Sequence, residues 1–178
     1  MSFFRARGSD LSQPKDLRSV RSVTGRRTYL CYTDGACKAG EGAPGGWGFC
    51  IRPPVGPDIE GYGKAVGTQA KIMEFRAVAE ALGALPQGAR ATVFSDNQSL
   101  VASLGKLDVM LGNGFAKVDP LIADSVRRIA QEISDKELVI EWQWVRGHNG
   151  NAGNERADAL AAQGAREAKA DLSKRPRV

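Results

Sequence analysis

The spacing of apolar residues changes along the chain and separates two sets of predicted elements. In the first third, short stretches rich in β-branched and aromatic residues alternate with glycine-rich turns, as is typical of strands. They predict strands over 28–33, 47–52 and 61–66, with a turn beginning at Gly40. Three successive strands with short connections favour an antiparallel meander.

Further along, apolar residues recur at the i, i+3, i+4 and i+7 spacing of amphipathic helices, between two more strand-like stretches. The segment 105–119 is predicted to be irregular, because Gly112 and Gly114 would break a helix. A meander followed by alternating helices and strands predicts an α/β fold, a mixed sheet flanked by helices. The predicted elements are a helix over 71–85, a strand over 91–95, a helix over 97–104, a helix from 120, a strand over 138–145 and a helix over 154–168.

Length and composition restrict the class of protein. A chain of 178 residues with 42% hydrophobic content is enough for one domain with a core. No apolar run approaches the ~20 residues that span a bilayer, so no membrane partner is expected. Three cysteines without metal-type spacing (Cys31, Cys37 and Cys50) indicate free thiols in a reducing compartment. We therefore predict a monomeric cytoplasmic protein.

The net charge of +5 is concentrated at the ends of the chain. Residues 1–28 contain seven basic and two acidic residues, and 164–178 contain five and two. We predict a basic, mostly disordered arm over 1–27, a folded domain over 28–168 and a basic tail over 169–178. Such arms can bind a polyanion without sequence preference, although solubilising tails explain the composition equally well.

Four carboxylates stand where predicted strands end or predicted helices begin. Asp34 and Asp96 end strands, whereas Glu74 and Asp158 lie in the early turns of helices. Each has an ordinary structural explanation: turn formation or helix capping for the first two, and the helix dipole for the others. Adjacent parallel strands that end in Asp nevertheless place both side chains at one edge of the sheet, where α/β folds build their sites.

Carboxylates brought together in this way repel one another unless a cation lies between them. Oxygen ligands favour Mg²⁺ or Mn²⁺ over zinc, and two such ions about 3.5–4 Å apart commonly promote attack on a phosphodiester. The only histidine, His148, precedes the last helix, and histidine is a residue type suited to proton transfer. A solvated loop histidine explains this segment alone equally well.

Five segments of the sequence occur in a characteristic order: Tyr32-Thr-Asp-Gly-Ala36, Gly45-Gly-Trp-Gly48, Met73-Glu74, Ser95-Asp-Asn-Gln98 and Trp144-Val-Arg-Gly-His148 followed by Asn154-Glu-Arg-Ala-Asp158. In these segments and their order, the chain resembles the type 1 ribonuclease H family. The resemblance spans roughly 28–164 and implies a five-stranded mixed sheet whose second strand is antiparallel. It also implies hydrolysis of the RNA strand of RNA–DNA hybrids, leaving 5′-phosphate and 3′-hydroxyl ends.

The resemblance also implies a role for each site residue. Asp34 would bridge two Mg²⁺ ions, for which Mn²⁺ is a possible substitute. Glu74 and Asp96 would complete one ion site and Asp158 the other. His148 would help to move protons or product near the attacking water. Substrate contacts are implied for Gly35, Cys37, Gln98 and Asn154.

Three segments depart from the family pattern. In the run 69–73, the amides that usually precede the second carboxylate are missing or displaced, and the glycine-rich loop is one residue longer with Lys38 and Glu41. The segment 104–120 has no Trp and as many acidic as basic residues, unlike the basic protrusion of many bacterial members. We therefore hypothesise that the basic tails supply the missing phosphate contacts.

Two other functions fit some of these observations. A catalytically weak nucleic-acid-binding module could keep the fold, but it would have no need of all four carboxylates and His148. A transposase or integrase domain could share the fold, but those relatives do not usually carry the segment that ends in Asn154 and Asp158. The hybrid endoribonuclease is the leading interpretation.

Overall fold

The computed structural model describes residues 28–38 and 42–174 and contains one five-stranded sheet in the order β3-β2-β1-β4-β5. Strand β2 is antiparallel to both neighbours, whereas β1, β4 and β5 are parallel. The predicted mixed sheet with an antiparallel second strand is therefore confirmed. The strands are β1 (Tyr29–Cys37), β2 (Gly45–Arg52), β3 (Ile59–Ala65), β4 (Arg90–Ser95) and β5 (Val139–Trp144).

Alternation along β2 sends neighbouring residues to opposite faces of the sheet. Phe49 and Ile51 enter the main core with buried residues of α1 and α4. Gly46 and Gly48 face α5, and a Cβ on either would overlap the helix backbone, so these glycines let α5 lie directly on the sheet. The helices are α1 (Ala70–Gly83), α2 (Gln98–Leu104), α3 (Leu107–Gly112), α4 (Ala123–Asp135) and α5 (Ala152–Ser173).

Strand β1 is longer than predicted, so Asp34 lies within it rather than at its end. Parallel pairing with β4 stops at Tyr32 opposite Phe94, but antiparallel pairing with β2 continues to Cys37 opposite Gly45. Gly45 therefore belongs to a strand, although the prediction placed it in the glycine-rich turn. The sequence pattern indicated where the apolar residues of the strand end, whereas backbone pairing continues beyond them.

Two further predictions were wrong at helix boundaries. Segment 105–119 contains α3, because Leu107 is buried in the core and Gly112 only ends the helix instead of preventing it. Helix α5 continues to Ser173, five residues past the predicted end, since Ala168 is buried and polar residues beyond it still follow the helix. The first residues of the predicted tail over 169–178 are thus helical, whereas the predicted arm over 1–27 lies outside the described residues.

Candidate active site

Two of the four predicted carboxylates meet because of the register between β1 and β4. Tyr32 and Phe94 are the last parallel pair, and their rings stack 4.8 Å apart. Asp34 and Asp96 each lie two residues further along, so period-2 alternation puts both on the side of the sheet that those rings share. The predicted meeting of two strand-end aspartates is thus explained by a particular register.

Glu74 joins them from α1, and Gly35 makes this approach possible. A Cβ on Gly35 would overlap the backbone of Met73 and Glu74, so only glycine lets α1 lie this close to β1. One carboxylate oxygen from each of Asp34, Glu74 and Asp96 lies within 4.8 Å of the others. We call these three residues the carboxylate triad.

Two members of the triad are buried beside a half-buried third, which is electrostatically unfavourable. Asp34 and Glu74 are each only 8% exposed. Burial, followed by the charges of Asp34 and Asp96, raises the pKa of Glu74 from 4.5 to about 9. Burial and the charge of Asp96 raise the pKa of Asp34 from 3.8 to about 7, opposed by the Gly35 N–H, which donates to Oδ1 at 2.8 Å.

A divalent cation fits this environment. The Glu74 Oε2 atom is buried and has no hydrogen-bond partner, which is costly unless a ligand satisfies it. All three donor groups are carboxylates, which are hard ligands suited to Mg²⁺ or Mn²⁺ rather than to zinc. The donor set and the orphaned oxygen therefore both indicate a metal centre.

Asp158 reaches the same region from α5 but stands outside the triad. It is half-buried at the seventh residue of the helix, too far from the first turn for the helix dipole to account for it. Its carboxyl lies close enough to Asp34 to contribute to the raised pKa of that residue. The structure thus brings all four predicted carboxylates together, with Asp34 shared between Asp158 and the other two.

The capping explanation for Asp96 does not hold. The N-cap of α2 is the next residue, Asn97, whose side-chain oxygen accepts from the Leu100 N–H at 3.1 Å. The Asn97 N–H in turn donates to the Ser95 hydroxyl oxygen at 3.1 Å. Asp96 is therefore available for a chemical role because its neighbour caps the helix.

The residues for which substrate contacts were implied differ in how far they are exposed. Asn154 is 3% exposed, and its Nδ2 donates to Asp96 Oδ2 at 3.4 Å, while its Oδ1 has no partner. Gln98 is exposed at the first residue of α2. The Cys37 thiol is half-buried and donates to the Thr68 carbonyl at 3.4 Å.

His148 occupies an exposed turn between β5 and α5 with a φ of 52°, in the left-handed region. Its neighbour Gly147 lies against the site, because a Cβ there would stand 2.9 Å from Asp96 Oδ2. The turn therefore borders the triad, and the imidazole is open to solvent.

Sequence reasoning missed two residues that contact the site. Asn97 could have been found, because asparagine before a short helix is a common N-cap signal. Trp144, whose indole Nε1 donates to the Asp96 carbonyl at 3.0 Å, gave no such signal, because the contact depends on strand pairing. Asn97 caps the helix that follows Asp96, and Trp144 donates a hydrogen bond to the main chain of Asp96.

The fold and the site together define a class of α/β proteins in which carboxylates suited to metal binding lie at one edge of a mixed sheet. A family model described as RNase H matches residues 26–166. The ribonuclease H of Polaromonas naphthalenivorans (strain CJ2) is 39% identical over 157 residues, covering 86% of this chain and 96% of the relative. That of Paracidovorax citrulli (strain AAC00-1) is 38% identical over 139 residues, covering 76% and 92%.

Solved structures agree. LC9-RNase H1, described as a type 1 RNase H with the type 2 active-site motif, has a TM-score of 0.66 at 25% identity and covers 83% of this chain and 76% of its own. The chain therefore belongs to the ribonuclease H family, and the predicted type 1 assignment is confirmed. In the part of the chain that the structure describes, no helix is long and apolar enough to cross a membrane.

Proposed function

We propose that this protein hydrolyses the RNA strand of RNA–DNA hybrids with two divalent metal ions, leaving 5′-phosphate and 3′-hydroxyl ends. Its relatives are named ribonuclease H, and its own residues supply the chemistry. The observation that carries the proposal is the carboxylate triad: one oxygen from each residue lies within 4.8 Å of the others, and the buried Oε2 of Glu74 has no hydrogen-bond partner. Carboxylates this close together repel one another unless a cation lies between them.

Asp34, Glu74 and Asp96 would hold one ion, and Asp34 with Asp158 would hold the second. Mg²⁺ is the proposed ion, with Mn²⁺ as a substitute. When bound, such ions lower the pKa of an attacking water and stabilise charge on the attacking and leaving oxygens. The protein positions the ligands: β1 and β4 fix two carboxylates, and Gly35 admits the third.

The residues around the triad can serve the substrate. Gln98 is exposed at the start of α2, two residues after Asp96, and would contact a sugar or phosphate of the substrate. Asn154 lies beside Asp96, to which its Nδ2 donates at 3.4 Å, and its buried Oδ1 has no partner. His148 borders the site through its neighbour Gly147 and would help to move protons or product near the attacking water. A hybrid is recognisable by its A-form-like shape and the 2′-hydroxyls in its minor groove.

The test is cleavage of a labelled RNA–DNA hybrid beside single-stranded RNA and duplex DNA, with Mg²⁺, Mn²⁺ or EDTA. We expect metal-dependent cleavage of the hybrid alone, and loss of cleavage by at least about 10²-fold in Asp96→Asn, comparable to losing one key electrostatic group. The matched control is Asp108→Asn, an exposed aspartate in the first turn of α3, which should cleave normally.

Three results would contradict the proposal. Cleavage that survives Asp96→Asn would remove the triad from the chemistry. Cleavage in EDTA would remove the metal ions. Tight hybrid binding without cleavage in either metal would favour a nucleic-acid-binding module instead.

A further inference from the structure

The backbone of Asp96 lies just past the end of β4, where the sheet no longer holds it. The last hydrogen bond of the β4–β5 ladder runs from the Val145 N–H to the Ser95 carbonyl at 3.0 Å. The next carbonyl, that of Asp96, accepts from the Trp144 indole Nε1 at 3.0 Å. A side chain thus extends the ladder by one residue, up to the residue that carries the carboxylate.

This use of Trp144 is unusual for its position. The side chain is 47% exposed, so burial does not account for a large aromatic residue here. Trp144 pairs with Ser95 at the end of the ladder, the register position from which its indole reaches the Asp96 carbonyl. The indole N–H donor is the feature of Trp144 that a smaller side chain would not supply.

The Asp96 carboxylate is held from a second direction. Asn154 is more than nine-tenths buried, and its Nδ2 donates to Asp96 Oδ2 at 3.4 Å. Asn154 is itself fixed, because its N–H donates to the side chain of the α5 N-cap, Asn151, at 3.2 Å. Asp96 is therefore oriented at its main chain by β5 and at its carboxylate by the start of α5.

We infer that Trp144 and Asn154 are positioning residues that together hold Asp96 in the geometry required for metal binding. The inference rests on the proposed function of the triad. Groups that orient metal ligands typically change metal affinity or activity 10–100-fold when they are removed. Because Trp144 acts on the backbone and touches no ligand oxygen, we expect the lower end of that range.

The test compares Trp144→Phe, which keeps an aromatic ring but removes the N–H donor, with Trp142→Phe on the same strand. Trp142 packs against the core. Its replacement by Phe removes the same indole N–H, but Trp142 does not make this contact. Mn²⁺ binding is measured by isothermal titration calorimetry in the absence of nucleic acid. We expect about 10-fold weaker Mn²⁺ binding in Trp144→Phe and a change of less than about 2-fold in Trp142→Phe.

Hybrid cleavage provides the second readout. Trp144→Phe should need about 10-fold more Mg²⁺ for half-maximal rate, with an unchanged KM for the hybrid at saturating Mg²⁺. Asn154→Ser should weaken Mn²⁺ binding in the same direction, which keeps the inference testable by a second variant. Unchanged Mn²⁺ affinity in Trp144→Phe, or an equal loss in Trp142→Phe, would overturn it. Failure of the unmodified protein to cleave hybrid would instead refute the proposed function, since the calorimetric comparison does not depend on cleavage.

Discussion

Replacing Glu74 with Gln should stabilise the metal-free protein, because this carboxylate is buried beside two others. Its pKa is raised from 4.5 to about 9, so at pH 7 the folded state must hold a proton that the unfolded state has released. Between pH 4.5 and pH 7, at about 1.36 kcal/mol per pH unit, Glu74 therefore lowers the free energy of unfolding by about 3 kcal/mol. A Coulomb estimate for two charges at the 4.8 Å upper limit of the triad, with an effective dielectric constant of 20, is also about 3 kcal/mol.

The sign of the pH dependence follows from the raised pKa. A carboxyl whose folded pKa exceeds its unfolded pKa adds stability below the unfolded value and loses that contribution as pH rises through the folded value. The advantage of Glu74→Gln should therefore be near zero at pH 4 and should grow as pH rises towards 9. The pKa of Asp34 is also raised, from 3.8 to about 7. Its contribution therefore lowers the free energy of unfolding of the unmodified protein as pH rises, over a lower pH range than that of Glu74.

The assay is urea denaturation in EDTA from pH 4 to pH 9, with Glu80→Gln as the control. Glu80 is on the same helix but accepts two hydrogen bonds from Arg128, at 2.8 and 3.0 Å, which lower its pKa. Glu80→Gln should therefore be neutral or destabilising. In saturating Mg²⁺ the advantage of Glu74→Gln should disappear, because the unmodified triad then gains binding free energy. If Glu74→Gln were less stable than the unmodified protein in EDTA at pH 8, the electrostatic account of the triad would be wrong.

Three further predictions test other parts of the account. Asn97→Ala should lower the free energy of unfolding by about 1 kcal/mol through loss of the α2 cap, whereas Asn97→Asp should keep the cap; urea denaturation checks both. Gly46→Val should prevent α5 from lying on β2 and cost more than about 3 kcal/mol as overpacking against backbone, seen as loss of the cooperative thermal transition, and a normal transition would refute the packing. Deleting residues 1–27 should make hybrid binding less dependent on salt, as measured by fluorescence anisotropy at several NaCl concentrations, and an unchanged slope would exclude the arm from phosphate contacts.

The parts of the site that the sequence could predict depend on local patterns. Apolar alternation located β1 and β4, and with them the two aspartates that follow their apolar residues. Helical periodicity placed Glu74 on α1 and Asp158 on α5. These assignments needed only residue types and spacing, together with the rule that parallel strands end at one edge of a sheet.

What could not be predicted depends on contacts between distant segments. The indole of Trp144 meets Asp96 only because β5 pairs with β4 in one register. The close approach of α1 at Gly35 likewise depends on how the helix packs, which periodicity does not report. Helix α3 was missed because Gly112, its last residue, and Gly114 just beyond it suggested an irregular segment, whereas the burial of Leu107 depends on tertiary packing.

The most direct test of the central claim uses one hybrid with separate labels on its RNA and DNA strands, incubated with the unmodified protein in Mg²⁺. The account predicts that the RNA strand alone is cut, that its fragments carry 5′-phosphate and 3′-hydroxyl ends, and that EDTA stops the reaction. Cutting of the DNA strand, or an RNA product with a 2′,3′-cyclic phosphate end, would contradict it, because the second product requires attack by the 2′-hydroxyl rather than by water.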